Sequence, residues 1–118
     1  MRYLLIHCLD ETAELDPADD CDVEGSAAAQ VQEAWDAEMQ ARGVKLSGGR
    51  LRPVSEATTV RVRDGEVLVS DGPFAETKEQ VAGFNVLECA DLDEAIKVAS
   101  RHPTAKIGTF ELRPFWES

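Results

Sequence analysis

The chain has 118 residues, 43% of them hydrophobic, and a formal charge of -11. That length fits a single domain burying about two-thirds of its unfolded surface, so one core suffices without disulfide or metal staples. No run approaches the ~20 apolar residues of a membrane span, and the N-terminus enters a strand-like pattern without a signal-peptide region; both predict a cytoplasmic protein with no membrane contact.

Residues 2 to 9 are apolar at nearly every position, with Leu4, Ile6 and Cys8 on one face and Tyr3, Leu5, His7 and Leu9 on the other. A strand of this kind is covered on both sides. The chain's own helices supply one cover, and a second subunit on the Tyr3, Leu5 and His7 face is expected to supply the other, giving a homodimer.

Residues 10 to 24 then hold eight acids, Asp10, Glu11, Glu14, Asp16, Asp19, Asp20, Asp22 and Glu24, and no Lys or Arg. The rest of the chain is nearly balanced, fifteen acids against twelve bases. A negative field of this kind repels nucleic acid backbones, which excludes direct DNA or RNA binding. The order Asp16, Asp19, Asp20, Asp22, Gly25 does not give the alternate oxygen ligands of a calcium loop, so the segment reads as a solvated loop without a metal.

Ser26 offers a helix N-cap, and Ala28, Val31, Trp35 and Met39 recur at helical spacing until Gly43 ends the pattern. Trp35 reads as a core aromatic or a ligand-stacking platform. Residues 44 to 52 form a strand in which Gly48 and Gly49 permit a bulge or a close backbone approach. Residues 57 to 63 and 66 to 70, joined by Asp64-Gly65, read as a hairpin. Asp71-Gly72-Pro73-Phe74 is a rigid turn, with Asp71 as acceptor for the turn amides and Phe74 as an apolar anchor to the core. Thr77 to Gln80 has capping-box spacing for one helical turn. Gly83 to Cys89 is a strand. Asp91 caps a second helix with Leu92, Ala95, Ile96 and Ala99 on its buried stripe, ending before Pro103. The last strand, about 106 to 113, carries Phe110 and Leu112 on one face and Thr109, Glu111 and Arg113 on the other. Phe115 and Trp116 are expected to pack on the body or across the dimer. Without the hairpin this order is β-α-β-β-α-β, an α+β ferredoxin-like arrangement. Cys8, Cys21 and Cys89 show neither paired nor zinc-binding spacing, and Cys8 and Cys89 fall at opposite ends of their ladder.

The segments Leu51-Arg52-Pro53, Ser55 to Gly65, DGPFAETKEQVAGF from Asp71 and Ala90 to Ala95 resemble the YCII-related family, in particular its DGPF subgroup, over roughly residues 47 to 114. The resemblance implies a dimeric ferredoxin-like α+β barrel of bacterial origin, here with an inserted β-hairpin, often encoded beside extracytoplasmic-function sigma factors. It implies no common reaction. The wider family is associated with a His-Asp pair, the His on helix 1 and the Asp before a proline after helix 2. Here helix 1 has no His, and the residue before Pro103 is His102, so that pair is not carried over.

Residue chemistry leaves few candidates. Asp71, held by a stiff turn, is either a carboxylate base or a plain turn acceptor, and His7 is either a general base or a hydrogen-bonded strand residue. His102 reads as a partner for the negative end of helix 2. Glu76 and Lys78 either form a charged ligand-binding rim with Asp71 or belong to a solvated turn, and Arg113 either binds a ligand carboxylate or pairs with an acid such as Glu111. The expected function is a homodimeric protein that binds a small molecule in a cleft at the dimer interface; the alternative is a cofactor-free enzyme doing acid/base chemistry on an aromatic or keto substrate with Asp71.

Overall fold

A computed structural model describes residues 1–117. Six strands and two longer helices follow the predicted order: β1 (Arg2–Leu9), α1 (Ala27–Ala41), β2 (Lys45–Arg50), β3 (Thr58–Arg63), β4 (Glu66–Asp71), β5 (Gln80–Glu88), α2 (Leu92–Ser100) and β6 (Thr109–Pro114). Every pairing in the four-stranded sheet is antiparallel, in the order β2-β5-β1-β6, and β3-β4 forms a separate hairpin. Once the hairpin is set aside, the fold is ferredoxin-like.

Local chemistry accounts for the element ends. The Ser26 hydroxyl accepts from Ala29 N–H at 3.0 Å to open α1, and Gly43, at φ 70°, closes it where a side chain would be strained. Asp91 Oδ1 accepts from Glu94 N–H at 2.9 Å to open α2. The β3-β4 turn places Asp64 at φ 52° and Gly65 at φ 78°, the two positive values of a type I′ hairpin. Residues 76 to 79 form no helical turn: the Thr77 hydroxyl donates instead to Glu79 O, and the Gln80 amide to Thr77 O.

The core lies between the sheet and both helices. Tyr3, Leu5 and Leu87 meet Trp35 and Met39 of α1 and Ala95, Val98 and Ala99 of α2, with Phe110 and Leu112 beside them. Trp35 Nε1 donates to Val98 O at 2.8 Å, so α1 and α2 are joined through the core. Outside it, Arg101 holds Glu38 with two hydrogen bonds of 2.6 Å, and this contact with Arg101 and then Arg42 lowers the Glu38 carboxyl to about 2.

This packing reverses one expectation. Tyr3 and Leu5 are buried by the chain's own helices, so the face awaiting a cover is that of Leu4 and Ile6, beside Phe84 and Val86 of β5 and Glu111 and Arg113 of β6. The chain is only 19 Å thick, as one sheet and one helical layer require. Helix stripes shift too: Leu92, Ile96 and Val31 are about half exposed, while Val98 takes the place expected for Ile96. Phe74 (81% exposed) anchors nothing in this chain, and Trp116 stands clear of its body, while Phe115, its amide bonded to Arg2 O, is partly covered. Ser118, the last residue of that tail, lies outside the described residues. The three cysteines are free. Among the described residues no helix is long and apolar enough to cross a membrane.

Candidate functional site

At the end of the sheet where β1 runs into the acidic loop, a cavity of about 610 Å³ opens between β1, β2, β5, α1 and the segment after α2. A volume of this order suits a small organic ligand. Its floor is aromatic. His7 projects from β1 on the helix side of the sheet, and its ring centroid lies 4.4 Å from Phe110 and 5.0 Å from His102. His102 is packed in turn edge-on against Trp35 at 4.9 Å.

Each imidazole is oriented by one hydrogen bond. His7 Nε2 donates to Asn85 Oδ1 at 2.7 Å, because an amide oxygen can only accept. His102 Nδ1 accepts from Thr104 N–H at 3.1 Å and so caps the 3-10 turn Pro103–Lys106. Both rings are therefore set as Nε2–H tautomers when neutral. Neutrality is favoured at both. Burial lowers the His7 pKa, with the Asn85 bond opposing it in part, and burial followed by the neighbouring His7 takes His102 down to about 4. His102 is 3% exposed and faces the core. It is thus a neutral residue inside the molecule, and not the cation at the end of α2 that its sequence position suggests.

The walls come from distant segments. Asp36 of α1 and Lys45 of β2 form a 2.7 Å ion pair that lines the cavity, and their charges pull the two imidazoles in opposite directions. Gly48 lies against β5 so closely that a Cβ there would fall within 2.6 Å of Phe84 O and nearer still to Asn85 Nδ2. The close approach expected of the Gly48-Gly49 pair thus supports the residue that holds His7. The acidic loop is more than a solvated segment, since Asp10, Glu11, Asp20, Cys21 and Asp22 all line the cavity. Asp16 and Asp20 accept from amides two residues on, and Asp22 pairs with Arg50 at 2.7 Å. Burial pushes the Cys21 thiol up, which keeps it protonated.

Of the five site candidates Asp71, His7, Glu76, Lys78 and Arg113, the cavity collects His7 alone. Asp71 is exposed at the end of β4, and its turn is held by Gly72 N–H to Ala57 O at 2.7 Å and by the Thr59 hydroxyl to Gly72 O at 2.8 Å. Among the described residues the Asp71 carboxylate has no hydrogen-bond partner, so it does not act as the expected acceptor for the turn amides. Glu76 and Lys78 are exposed nearby, and Arg113 pairs with Glu111 on the open sheet face, away from the cavity. Asn85, Asp36 and Lys45 carried no motif in the sequence. The one signal for His102 was its position before Pro103.

The sequence profile of the YCII-related domain matches residues 1–118, and the chain belongs to that family. It is 49% identical over 67 residues to an uncharacterized protein of Rhizobium meliloti (strain 1021), a match covering 55% of this chain and 54% of the relative, so the chain spans about half the length of that curated relative. Among solved structures it resembles the 5-chloro-2-hydroxyhydroquinone dehydrochlorinase TftG of Burkholderia phenoliruptrix, in complex with 2,5-dihydroxybenzoquinone, with a TM-score of 0.55 over 100% of this chain and 96% of that one. At 13% identity this likeness is one of fold.

Proposed function

We propose that this YCII-related protein binds a small organic molecule in the cavity beside His7 and His102 and uses these imidazoles for proton transfer. One observation carries the reading: two histidines from remote parts of the chain meet at 5.0 Å in a single cavity, each oriented by a hydrogen bond and each shifted toward its neutral form. Buried imidazoles of this kind are unusual as mere core filling, and clustered titratable groups with lowered pKa values in a cleft mark functional sites.

The ligand therefore enters within one chain, on the helix side of the sheet. A homodimer, which we also propose, uses the other side, where Leu4, Ile6, Phe84 and Val86 form an apolar stripe without a cover of their own. The DGPF subgroup resemblance adds a setting beside extracytoplasmic-function sigma factors, and an accessory protein of that kind would use the same cavity to sense its ligand.

A screen of uncharged aromatic and carbonyl compounds by 1H–15N NMR tests the reading. Hits are expected to shift the signals of His7, Asn85, His102 and Thr104 first. Shifts centred on Asp71, Glu76 and Lys78 would move the site to the turn after β4 and end the proposal.

A further inference from the structure

The hydrogen bonds that orient the two histidines also differentiate them. His7 spends its Nε2–H on Asn85, which leaves the Nδ1 lone pair as the free position of its ring; His102 spends its Nδ1 lone pair on Thr104, which leaves Nε2–H as the free position of its ring. Among the described residues neither free position has a protein partner. One ring can thus only take a proton, and the other can only offer one.

The walls add a selection by charge. Lys45 and Arg50, the two cationic side chains of the cavity, are each closed on an acid, Asp36 and Asp22, at 2.7 Å. Asp10, Glu11 and Asp20 stand on the same wall with no salt-bridge partner among the described residues. The Asp10 carboxyl is held below its ordinary range by hydrogen bonds from Thr12, so it stays charged. Among the described residues no free cation is left in the cavity to receive a carboxylate or phosphate, and the wall repels one.

Resting on the ligand-binding reading above, we infer that His7 and His102 enolise an uncharged carbonyl compound, His7 Nδ1 as the base and His102 Nε2–H as the donor to the carbonyl oxygen. The C–H bond next to the carbonyl breaks, its proton passes to His7 Nδ1, and its electron pair forms the C=C bond of an enolate. The negative charge collects on the oxygen facing His102. Return to the same carbon after the His7 imidazolium has swapped its proton with solvent gives exchange. In an α-hydroxy ketone, return to the former carbonyl carbon, with the hydroxyl proton of the first carbon passing to the oxygen at His102, gives the isomeric aldehyde, and neither route needs an oxidant or co-reactant. A neutral imidazole suits the donor role because its N–H is close in acidity to an enol, whereas an imidazolium would protonate the oxygen outright.

Dihydroxyacetone in D2O is the probe, with loss of its carbon-bound proton signal followed by 1H NMR and dihydroxyacetone phosphate as the anionic counterpart. Exchange by the wild-type protein is expected above the buffer rate. It should fall about 10²-fold or more in His7→Ala, which lacks the base, and about 10²-fold in His102→Phe, which keeps the stacking but lacks the N–H. The phosphate is expected to exchange no faster with the protein than without it. Exchange of dihydroxyacetone that is unchanged in either variant, or faster exchange of the phosphate, overturns the inference. Should His102→Phe fail to fold, the wild-type 15N spectrum decides, since both rings must be Nε2–H tautomers and a protonated Nδ1 on His7 leaves no base. Ligand-induced shifts at His7 and His102 without any exchange would sink enolisation and leave the binding site standing. Absence of shifts with every compound of the NMR screen would sink both.

Discussion

At the scale of single residues, the least predictable feature is the state of His102. A histidine before a proline at a helix end is ordinarily a cation balancing the helix dipole, yet here Trp35, Phe110 and His7 enclose it and its free form is neutral. Its folded pKa of about 4 lies below the ordinary 6.5, so the unfolded chain binds the extra proton between those values and stability must rise with pH across that window. Below pH 4 both states are protonated and the full penalty is present. The gap corresponds to roughly 3 kcal/mol at most. Its surroundings add opposing influences, Asp36 favouring the charged ring and Lys45 and His7 disfavouring it. His102→Gln keeps an acceptor for Thr104 N–H and cannot titrate, so its urea-unfolding free energy should vary less than the wild type's between pH 4 and 6.5. Parallel curves for the two proteins would show that His102 is not buried in its neutral form. Asp71 makes the opposite case. It is exposed and free of hydrogen bonds to its turn, so Asp71→Asn should change stability by no more than ~0.5 kcal/mol and leave ligand-induced shifts at His7 intact. Loss of ligand binding in a normally melting Asp71→Asn protein would restore that carboxylate as a functional group.

At the scale of elements, local signals were legible and long-range ones were not. The caps at Ser26 and Asp91, the Asp64-Gly65 hairpin and the strand order follow from residues within a few positions of one another, and all are present. The face of β1 was not legible, because Tyr3, Leu5 and His7 and the alternate set Leu4, Ile6 and Cys8 are both apolar and alternation alone cannot say which set the helices cover. The same limit hid most of the site. His7 was visible by residue type, but Asn85, Asp36 and Lys45 are joined to it only through the β2-β5-β1 neighbourhood and the return of α1, across 29 to 78 positions of sequence. Gly48 carries this neighbourhood. Gly48→Ala forces a Cβ against Asn85 and Phe84 O, and since the nearest atoms include backbone, β2 must move; a loss of about 1–3 kcal/mol is expected, with displaced His7 ring signals. Gly49→Ala is the control, because nothing lies within 4 Å of its added Cβ. If both variants melt alike and leave His7 unmoved, β2 does not position Asn85.

At the scale of the whole molecule, two apolar surfaces remain outside any core of the single chain. One is the Leu4, Ile6, Phe84 and Val86 stripe on the open sheet face. The other is one face of the hairpin, where Val60 pairs with Val69 and Val62 with Val67, all four between 58% and 66% exposed. An isolated two-stranded hairpin is marginal in water, and an open sheet one layer thick leaves half its apolar side chains wet, so both features are best explained by a second copy. The stripe is central and the hairpin peripheral, which makes their contributions separable. Ile6→Lys puts a charge in the middle of the sheet face without touching the helix side, where Tyr3 and Leu5 form the core. It should therefore give a folded monomer by sedimentation at micromolar concentration while the wild type sediments as a dimer. Val62→Lys, near the hairpin tip, should weaken the dimer less and leave the cavity and its His7 signals unchanged. A wild-type protein that is monomeric at micromolar concentration and melts as one cooperative unit would show that the sheet face tolerates water. A dimer lost on Val62→Lys but kept on Ile6→Lys would place the interface on the hairpin arms alone, and the cavity, which opens on the helix side of the sheet and shares Phe84 with the stripe, should bind its ligand equally well in either case.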